Sequence, residues 1–117
     1  MARAPTKRAL PGHPVRGSRT GRPIMAALDL LGRRWTLRVL WELRAGPATF
    51  RELRERCDDV SPTVLNARLK ELREAGVVEH ASESEEAGYR TTDAGSALLR
   101  ALAPLNQWAE AWARGLP

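Results

Sequence analysis

Residues 49–76, TFRELRERCDDVSPTVLNARLKELREAG, contain two helix beginnings in close succession. Thr49 and Glu52 have the capping-box spacing, in which a hydroxyl and a carboxylate each accept a hydrogen bond from an amide of the first turn. Ser61 followed by Pro62 starts a second helix, because serine caps a first turn and proline suits the first helical position. Gly76 is a favoured helix end. The stretch therefore predicts a short helix, a turn and a longer helix.

The longer helix has two unlike faces. Three leucines share one side at 100° per residue, and we expect them to pack on the core: Leu65, Leu69 and Leu72. The opposite side is slim and polar, and consists of Thr63, Asn66, Ala67 and Lys70, with Glu74 at its far end. A slim face can approach base edges in the major groove, where asparagine pairs with adenine and lysine with guanine. The alternative is a solvent-facing amphipathic helix that binds nothing.

Helical spacing predicts two further helices before this stretch. The first covers residues 24–31 and ends at Gly32. The second covers residues 35–44 and ends before Gly46 and Pro47, which cannot continue it.

The segment after Gly76 predicts a hairpin and a last helix. The short runs VVEHAS and YRT are separated by an acidic loop, residues 83–88, which is typical of a two-stranded hairpin. Thr92 caps the last helix, which Pro104 is expected to kink or break. Its apolar stripe consists of Leu98, Leu102, Leu105, Ala109 and Trp112. The order of elements predicts a mainly α fold with a small β-hairpin, a winged helix-turn-helix.

The positive charge is concentrated at the N-terminus. Residues 1–23 contain six basic side chains and no acid, whereas residues 24–117 contain 13 basic and 14 acidic groups. The first segment also has four prolines, three glycines and few apolar side chains, a composition that cannot offset the entropy of ordering. We therefore predict a disordered basic arm, 1–23, and one folded domain, 24–117. The arm is either a solvated tail or a segment that lies along DNA phosphates.

Several classes of function find no support in the residues. The single cysteine, Cys57, excludes an internal disulfide, and His13 and His80 are too few for a metal cluster. No activated nucleophile or acid–base pair is apparent, so we expect neither an enzyme nor a cofactor. No apolar run approaches the roughly 20 residues that span a bilayer, and no secretory signal follows the basic N-terminus. These features favour a cytoplasmic protein without a membrane partner.

Candidate phosphate contacts flank the longer helix. Arginines near helix beginnings can bind phosphates and fix register, although each could instead pair with a neighbouring acid such as Glu55 or Glu71: these are Arg33, Arg34, Arg51 and Arg54. Glutamates in the hairpin loop would be repelled by phosphate, which leaves Arg90 as the cation at the base of the wing.

Residues 22–112 resemble the HxlR-type transcriptional regulators, small dimeric winged-helix proteins related to the MarR group. The resemblance is carried by Gly32-Arg33-Arg34-Trp35-Thr36, Gly46-Pro47 before Phe50-x-x-Leu53, Val60-Ser61-Pro62, Leu65-x-x-Arg68-Leu69-x-x-Leu72, Gly76-Val77-Val78-Glu79 and Tyr89-x-x-Thr92-x-x-Gly95. It implies a homodimer formed by the first and last helices, with two recognition helices on neighbouring half-sites. It also implies a repressor or activator that responds to a signal.

Two cysteine positions bear on that signal. Many members of the family carry a cysteine just before the first helix, where this chain has Arg22, so we do not expect redox sensing by that route. Cys57 lies on the packing side of the short helix and is predicted to be a buried structural thiol.

The chain has four tryptophans, Trp35, Trp41, Trp108 and Trp112, for which two interpretations stay open. They pack in the core and the dimer interface, or they line an interface pocket for a flat hydrophobic effector. The residues expected in the dimer interface are Ile24, Leu28, Leu98, Leu102, Leu105, Trp108 and Trp112.

Together these observations predict a homodimeric, sequence-specific regulator of double-stranded DNA, most simply a repressor, with a small-molecule effector as a further partner. The expected DNA contacts are Arg34, Thr49, Arg51, Ser61, Pro62, Thr63, Asn66, Ala67, Arg68, Lys70 and Arg90. The alternative is a winged-helix module that binds protein through its apolar last helix.

Overall fold

The computed structural model describes residues 9–81 and 88–117. Within these ranges the chain forms five α-helices and one two-stranded antiparallel hairpin. The elements are α1 Pro23–Leu31, α2 Thr36–Glu42, α3 Phe50–Arg56, α4 Pro62–Glu74, β1 Val78–His80, β2 Tyr89–Thr91 and α5 Asp93–Gly115. The predicted mainly α fold with a small β-hairpin is confirmed. The predicted acidic loop lies almost entirely outside the described residues.

The helix beginnings predicted from capping residues are confirmed. The Thr49 hydroxyl accepts a hydrogen bond from the Glu52 amide, and the Glu52 carboxylate accepts one from the Thr49 amide, each at 3.1 Å. At the start of α4, the Ser61 hydroxyl accepts a hydrogen bond from the Val64 amide at 3.2 Å. Thr92 caps α5 in the same way. These caps fix where α3, α4 and α5 begin.

The turn between α3 and α4 uses two consecutive left-handed residues. Asp58 and Asp59 have φ angles of 55° and 57°, a conformation that aspartate tolerates better than bulkier residues. The Arg54 side chain donates a hydrogen bond to the Val60 carbonyl at 2.9 Å, and its own carbonyl accepts one from the Asp59 amide at 2.8 Å. The turn is therefore held from both ends, which sets the direction in which α4 leaves it.

The bounds of α2 differ from the predicted ones. Trp35 is the residue before the helix and has a left-handed φ of 74°, so α2 begins at Thr36. The helix ends at Glu42, after which Leu43–Ala45 form one turn of 3-10 helix. Hydrophobic spacing located the helix but could not show that its ends change conformation.

The core lies among α2, α3 and α4. The three leucines of α4 are almost fully buried, with exposed fractions of 0–1%, and so are residues of α2 and α3. The principal buried side chains are Val39, Leu40, Leu53, Leu65, Leu69 and Leu72. The predicted packing face of α4 is therefore confirmed.

The hairpin joins this core to α5. Val78 pairs with Thr91 and His80 with Tyr89 in antiparallel register. Ala48, just before α3, forms a further bridge to Tyr89 through two backbone hydrogen bonds of 2.8 and 3.0 Å. A Cβ at Gly95 would lie only 1.9 Å from the Val77 carbonyl oxygen, so only glycine allows α5 to approach the hairpin this closely.

The last helix is continuous, contrary to the expectation that Pro104 would break it. Pro104 is exposed, so the carbonyl that it leaves without an amide partner can be solvated instead. The first half of α5 packs on the domain through Leu98, Leu99 and Leu102, whereas the residues after Leu102 are almost all exposed. The helix therefore projects from its own domain.

Residues 9–22 contact the domain, which differs from the mobile arm expected from their composition. Ala9 and Val15 are buried, and Val15 and Ser18 exchange two backbone hydrogen bonds of 2.9 and 3.1 Å. Arg16 forms an ion pair of 2.6 Å with Asp29 of α1. Composition underestimates order here, because two small apolar residues use a core that other elements have built. Residues 1–8 lie outside the described residues, and the boundary at residues 23 and 24 stays a prediction.

Candidate nucleic-acid interface

The slim side of α4 is exposed. Thr63, Asn66 and Lys70 are exposed and Ala67 is partly exposed, so these four residues form one outward surface, here called the reading face. The Lys70 ammonium lies 4.0 Å from the Glu74 carboxylate, a distance that leaves the lysine largely solvated. The four predicted base contacts are thus brought together, and their role on DNA stays a prediction.

Further predicted contacts flank the reading face. Ser61 and Pro62 are exposed at the beginning of α4, and Arg34 is exposed before α2. Thr49 is partly buried because its hydroxyl caps α3. Arg51 is 91% exposed, and its ion pair with Glu55, at 3.5 Å, is of the surface kind that contributes little. Arg51 can therefore exchange this acid for a phosphate.

Three other arginines are turned toward the protein. Arg68, a predicted DNA contact, lies 3.4 Å from Glu71, with 22% of its side chain exposed. Arg33 lies between Asp29 and Glu71, and Arg54 holds the α3–α4 turn. These three side chains do not share the surface of the reading face, and their observed contacts are structural.

The wing contributes a compensated charge. Arg90 on β2 is opposite Glu79 on β1, and the guanidinium donates a hydrogen bond of 2.7 Å to the carboxylate. A phosphate would have to compete with Glu79 for this cation. Glu83, Glu85 and Glu86, which were expected to repel DNA, lie outside the described residues.

A second surface is apolar and lies on α1 and α5. Large side chains are half or more exposed at Ile24, Leu28, Leu105, Trp108, Trp112 and Leu116. The rings of Trp108 and Trp112 stack with their centroids 5.3 Å apart. Leu98 and Leu102 differ from the other predicted interface residues because they pack partly against the core of their own chain. Contiguous apolar exposure of this kind marks an interaction surface.

A groove of about 340 Å³ lies between α2 and the projecting half of α5. It is lined by Leu37, Arg38, Trp41, Leu102, Leu105, Asn106 and Ala109. Trp41 also lies under the Arg44 guanidinium, 4.3 Å from the ring centre. Sequence analysis named Trp41 and the α5 residues, but it missed Leu37, Arg38 and Asn106, because the groove depends on how two distant helices pack.

Cys57 is fully buried, as predicted for a structural thiol. Burial raises the pKa of the Cys57 thiol, so the group stays protonated and poorly nucleophilic. Across residues 9–81 and 88–117, no group of histidine, cysteine or acidic side chains has the arrangement of a metal site. No helix in that part of the chain is both long and apolar enough to cross a membrane.

A short capped helix, a tight turn, a longer helix with an exposed polar face and a following hairpin define the winged helix-turn-helix class. Within this class the chain belongs to the HxlR-like helix-turn-helix family, whose model matches residues 30–116.

Relatives named as transcriptional regulators support this assignment. The uncharacterized HTH-type transcriptional regulator Rv3095 of Mycobacterium tuberculosis is 38% identical over 101 residues, which are 84% of this chain and 61% of that protein. The chain therefore spans about three fifths of that relative's length. YvaP of Bacillus subtilis, also named an HTH-type transcriptional regulator, is 35% identical over 89 residues, which are 74% of this chain and 82% of YvaP.

Solved structures show the same fold. Quinone-bound YodB from Bacillus subtilis matches with a TM-score of 0.68 and 32% identity, covering 75% of this chain and 96% of that one. An HxlR family transcription factor from Thermoplasma volcanium matches with a TM-score of 0.69 and 29% identity, covering 80% of this chain and 86% of that one.

Proposed function

We propose that the protein is a DNA-binding transcription regulator that reads double-stranded operator DNA with α4. The observation that carries this proposal is the division of α4 into a buried leucine side and the exposed reading face. Thr63, Asn66 and Lys70 offer donors and acceptors at about one-turn spacing on a surface slim enough for the major groove. The relatives named HTH-type transcriptional regulators support the same role.

Binding to DNA fragments from either side of the protein's own gene tests this function, with footprinting to locate a protected site. Selection from a random duplex pool gives an independent route to the preferred sequence. A regulator of this kind loses affinity steeply as salt rises, roughly in proportion to the phosphates it neutralises. Absence of a selected sequence together with weak salt dependence would favour the alternative, a module that binds protein.

We also propose that the functional unit is a homodimer joined through α1 and α5. The exposed apolar side chains of Ile24, Leu28, Trp108 and Trp112 need a covering surface, and a two-fold axis supplies the same surface from a second copy. Dimerisation would also present two reading faces to two half-sites.

A small hydrophobic effector is the proposed signal, and repression is the proposed mode. YodB is a family relative whose structure holds a quinone, and the groove beside Trp41 is apolar and open to solvent in this chain. Titration of tryptophan fluorescence with flat aromatic compounds, quinones included, tests binding, and transcription in vitro from the footprinted promoter tests repression. A DNA target implies a cytoplasmic location.

A further inference from the structure

Five charged side chains form a continuous series of ion pairs beneath α4, here called the ionic chain. Arg16 lies 2.6 Å from Asp29, and Asp29 lies 3.6 Å from Arg33. Arg33 is 3.5 Å from Glu71, which is 3.4 Å from Arg68. The series runs from the N-terminal segment through α1 and the α1–α2 turn to the recognition helix. It therefore connects four parts of the fold that are separate in the sequence.

The two carboxylates of the ionic chain are enclosed. The Asp29 side chain is 1% exposed and that of Glu71 is 19% exposed. One oxygen of each, Oδ2 of Asp29 and Oε2 of Glu71, is buried without a hydrogen bond. Both of these oxygens face Arg33, through Nη2 and Nη1 respectively. A buried carboxylate is costly unless a cation compensates it, so Arg33 supports two buried charges at once.

Arg33 thereby ties α4 to α1. Packing of leucines is not directional, so Leu69 and Leu72 hold α4 on the core without strictly fixing its rotation. Glu71 lies between Lys70 on the reading face and Leu72 on the buried side, at the border between the two surfaces. A tether at this border sets how far the reading face turns outward. A planar guanidinium supplies the tether better than a point charge, because its nitrogens can address both carboxylates.

We propose that Arg33 is a positioning residue for DNA reading: its bridge from Asp29 to Glu71 fixes the rotation of the recognition helix relative to α1. Because α1 carries part of the proposed dimer interface, the bridge would also fix the reading face relative to the second copy. The inference rests on the proposed function, since it assigns no contact between Arg33 and DNA.

The decisive variant is Glu71→Gln. It removes a negative charge near the DNA-binding surface, so electrostatic attraction alone predicts tighter binding to any duplex. Loss of positioning predicts weaker binding to the selected operator, in the opposite direction. We expect Glu71→Gln to lower operator affinity about tenfold while affinity for a scrambled duplex is unchanged or higher. Lys70→Gln, one residue away, is the matched control for charge, and it should weaken binding to both duplexes.

A double-mutant cycle with Arg33→Met completes the test. The two substitutions break one bridge, so the double variant should lose no more operator specificity than either single variant. Arg33→Lys retains the charge but cannot address both carboxylates, so it should regain only part of the specificity and serves if Arg33→Met does not fold.

Each outcome decides between readings. If the Glu71 and Arg33 variants melt at lower temperature but keep the wild-type ratio of operator to scrambled affinity, the bridge only stabilises the fold and the proposal is overturned. If Glu71→Gln binds both duplexes more tightly, electrostatics governs and the proposal is overturned too. If the wild-type chain selects no sequence at all, the proposed function itself fails, which is a distinguishable result.

Discussion

Asn66 and Arg68 are two positions apart on α4, yet they have different surroundings. Asn66 is exposed on the reading face, whereas Arg68 pairs with Glu71. Two steps along an α-helix rotate a side chain by about 200°, so neighbours in the sequence need not share a surface. At the scale of the residue, the structure therefore separates side chains that can meet bases from side chains that hold the helix in place.

Asn66→Ala is expected to weaken binding to the preferred operator by about 1–3 kcal/mol, because a bidentate contact with a base is lost. Binding to unrelated DNA should change little, and affinities for operator and scrambled duplexes at one salt concentration measure the difference. Asn106→Ala, the same change on α5, is the control. An unchanged ratio of the two affinities for Asn66→Ala would show that the reading face is placed wrongly.

Arg51→Ala is expected to weaken binding to all sequences alike, because the exposed guanidinium can reach a phosphate but is not on the reading face. The slope of log affinity against log salt should become shallower by about 1. Glu55→Ala frees Arg51 from its ion pair, so it should have the opposite effect. A sequence-dependent loss for Arg51→Ala would indicate a base contact instead.

At the scale of the element, local chemistry predicted beginnings better than conformational detail. The caps at Thr49, Ser61 and Thr92 were predictable because a cap depends on residues within one turn. The left-handed Trp35 and the unbroken α5 were not, since both depend on contacts made by distant parts of the chain. For the same reason leucine periodicity predicted the reading face, whereas the partners of Arg33 and Arg68 appeared only in the fold.

Thr49→Ala is expected to destabilise the protein by about 1 kcal/mol, because the Glu52 amide loses its capping partner at the start of α3. Thermal or urea unfolding measures the change. Thr49→Ser keeps the hydroxyl and is the matched control, which should remain close to wild type. Equal losses in both variants would mean that the threonine methyl group, rather than the cap, carries the effect.

The same cap gives α3 a dependence on pH. The hydrogen bond from the Thr49 amide, and then the one with its side chain, lower the pKa of Glu52. A carboxylate with a lowered folded-state pKa stabilises the protein above its ordinary pKa, and this contribution is lost as pH falls through the folded-state value. The stability difference between wild type and Glu52→Gln should therefore shrink on acidification. A difference that stays constant between neutral pH and pH 3 would contradict this origin.

At the scale of the whole molecule, charge and apolar surface are divided between regions. The chain carries a net charge of +5, but residues 24–117 are close to neutral, so overall basicity says little about where DNA binds. The apolar excess lies instead on α1 and the projecting half of α5. The amino-acid pattern predicted this apolar stripe, although it could not show that Leu98 and Leu102 are partly used within the chain.

Trp112→Glu is expected to convert the proposed dimer to monomer, because a charge would be buried in an apolar interface. Sedimentation equilibrium at micromolar concentration measures the mass. Gln107→Glu adds the same charge to an exposed position of α5 outside the apolar set and should leave the mass unchanged. A monomeric wild-type protein would remove the basis of the interface proposal.

The buried Cys57 makes the opening of the helix-turn-helix directly measurable. Because Cys57 is the single thiol of the chain and is fully enclosed, a thiol reagent can label it only when α3 separates from its neighbours. The labelling rate then reports the free energy of that local opening without any engineered probe. A duplex that binds the closed form must slow the reaction by the factor by which it is bound, so one native sulfur can report DNA affinity from the opposite side of the helix.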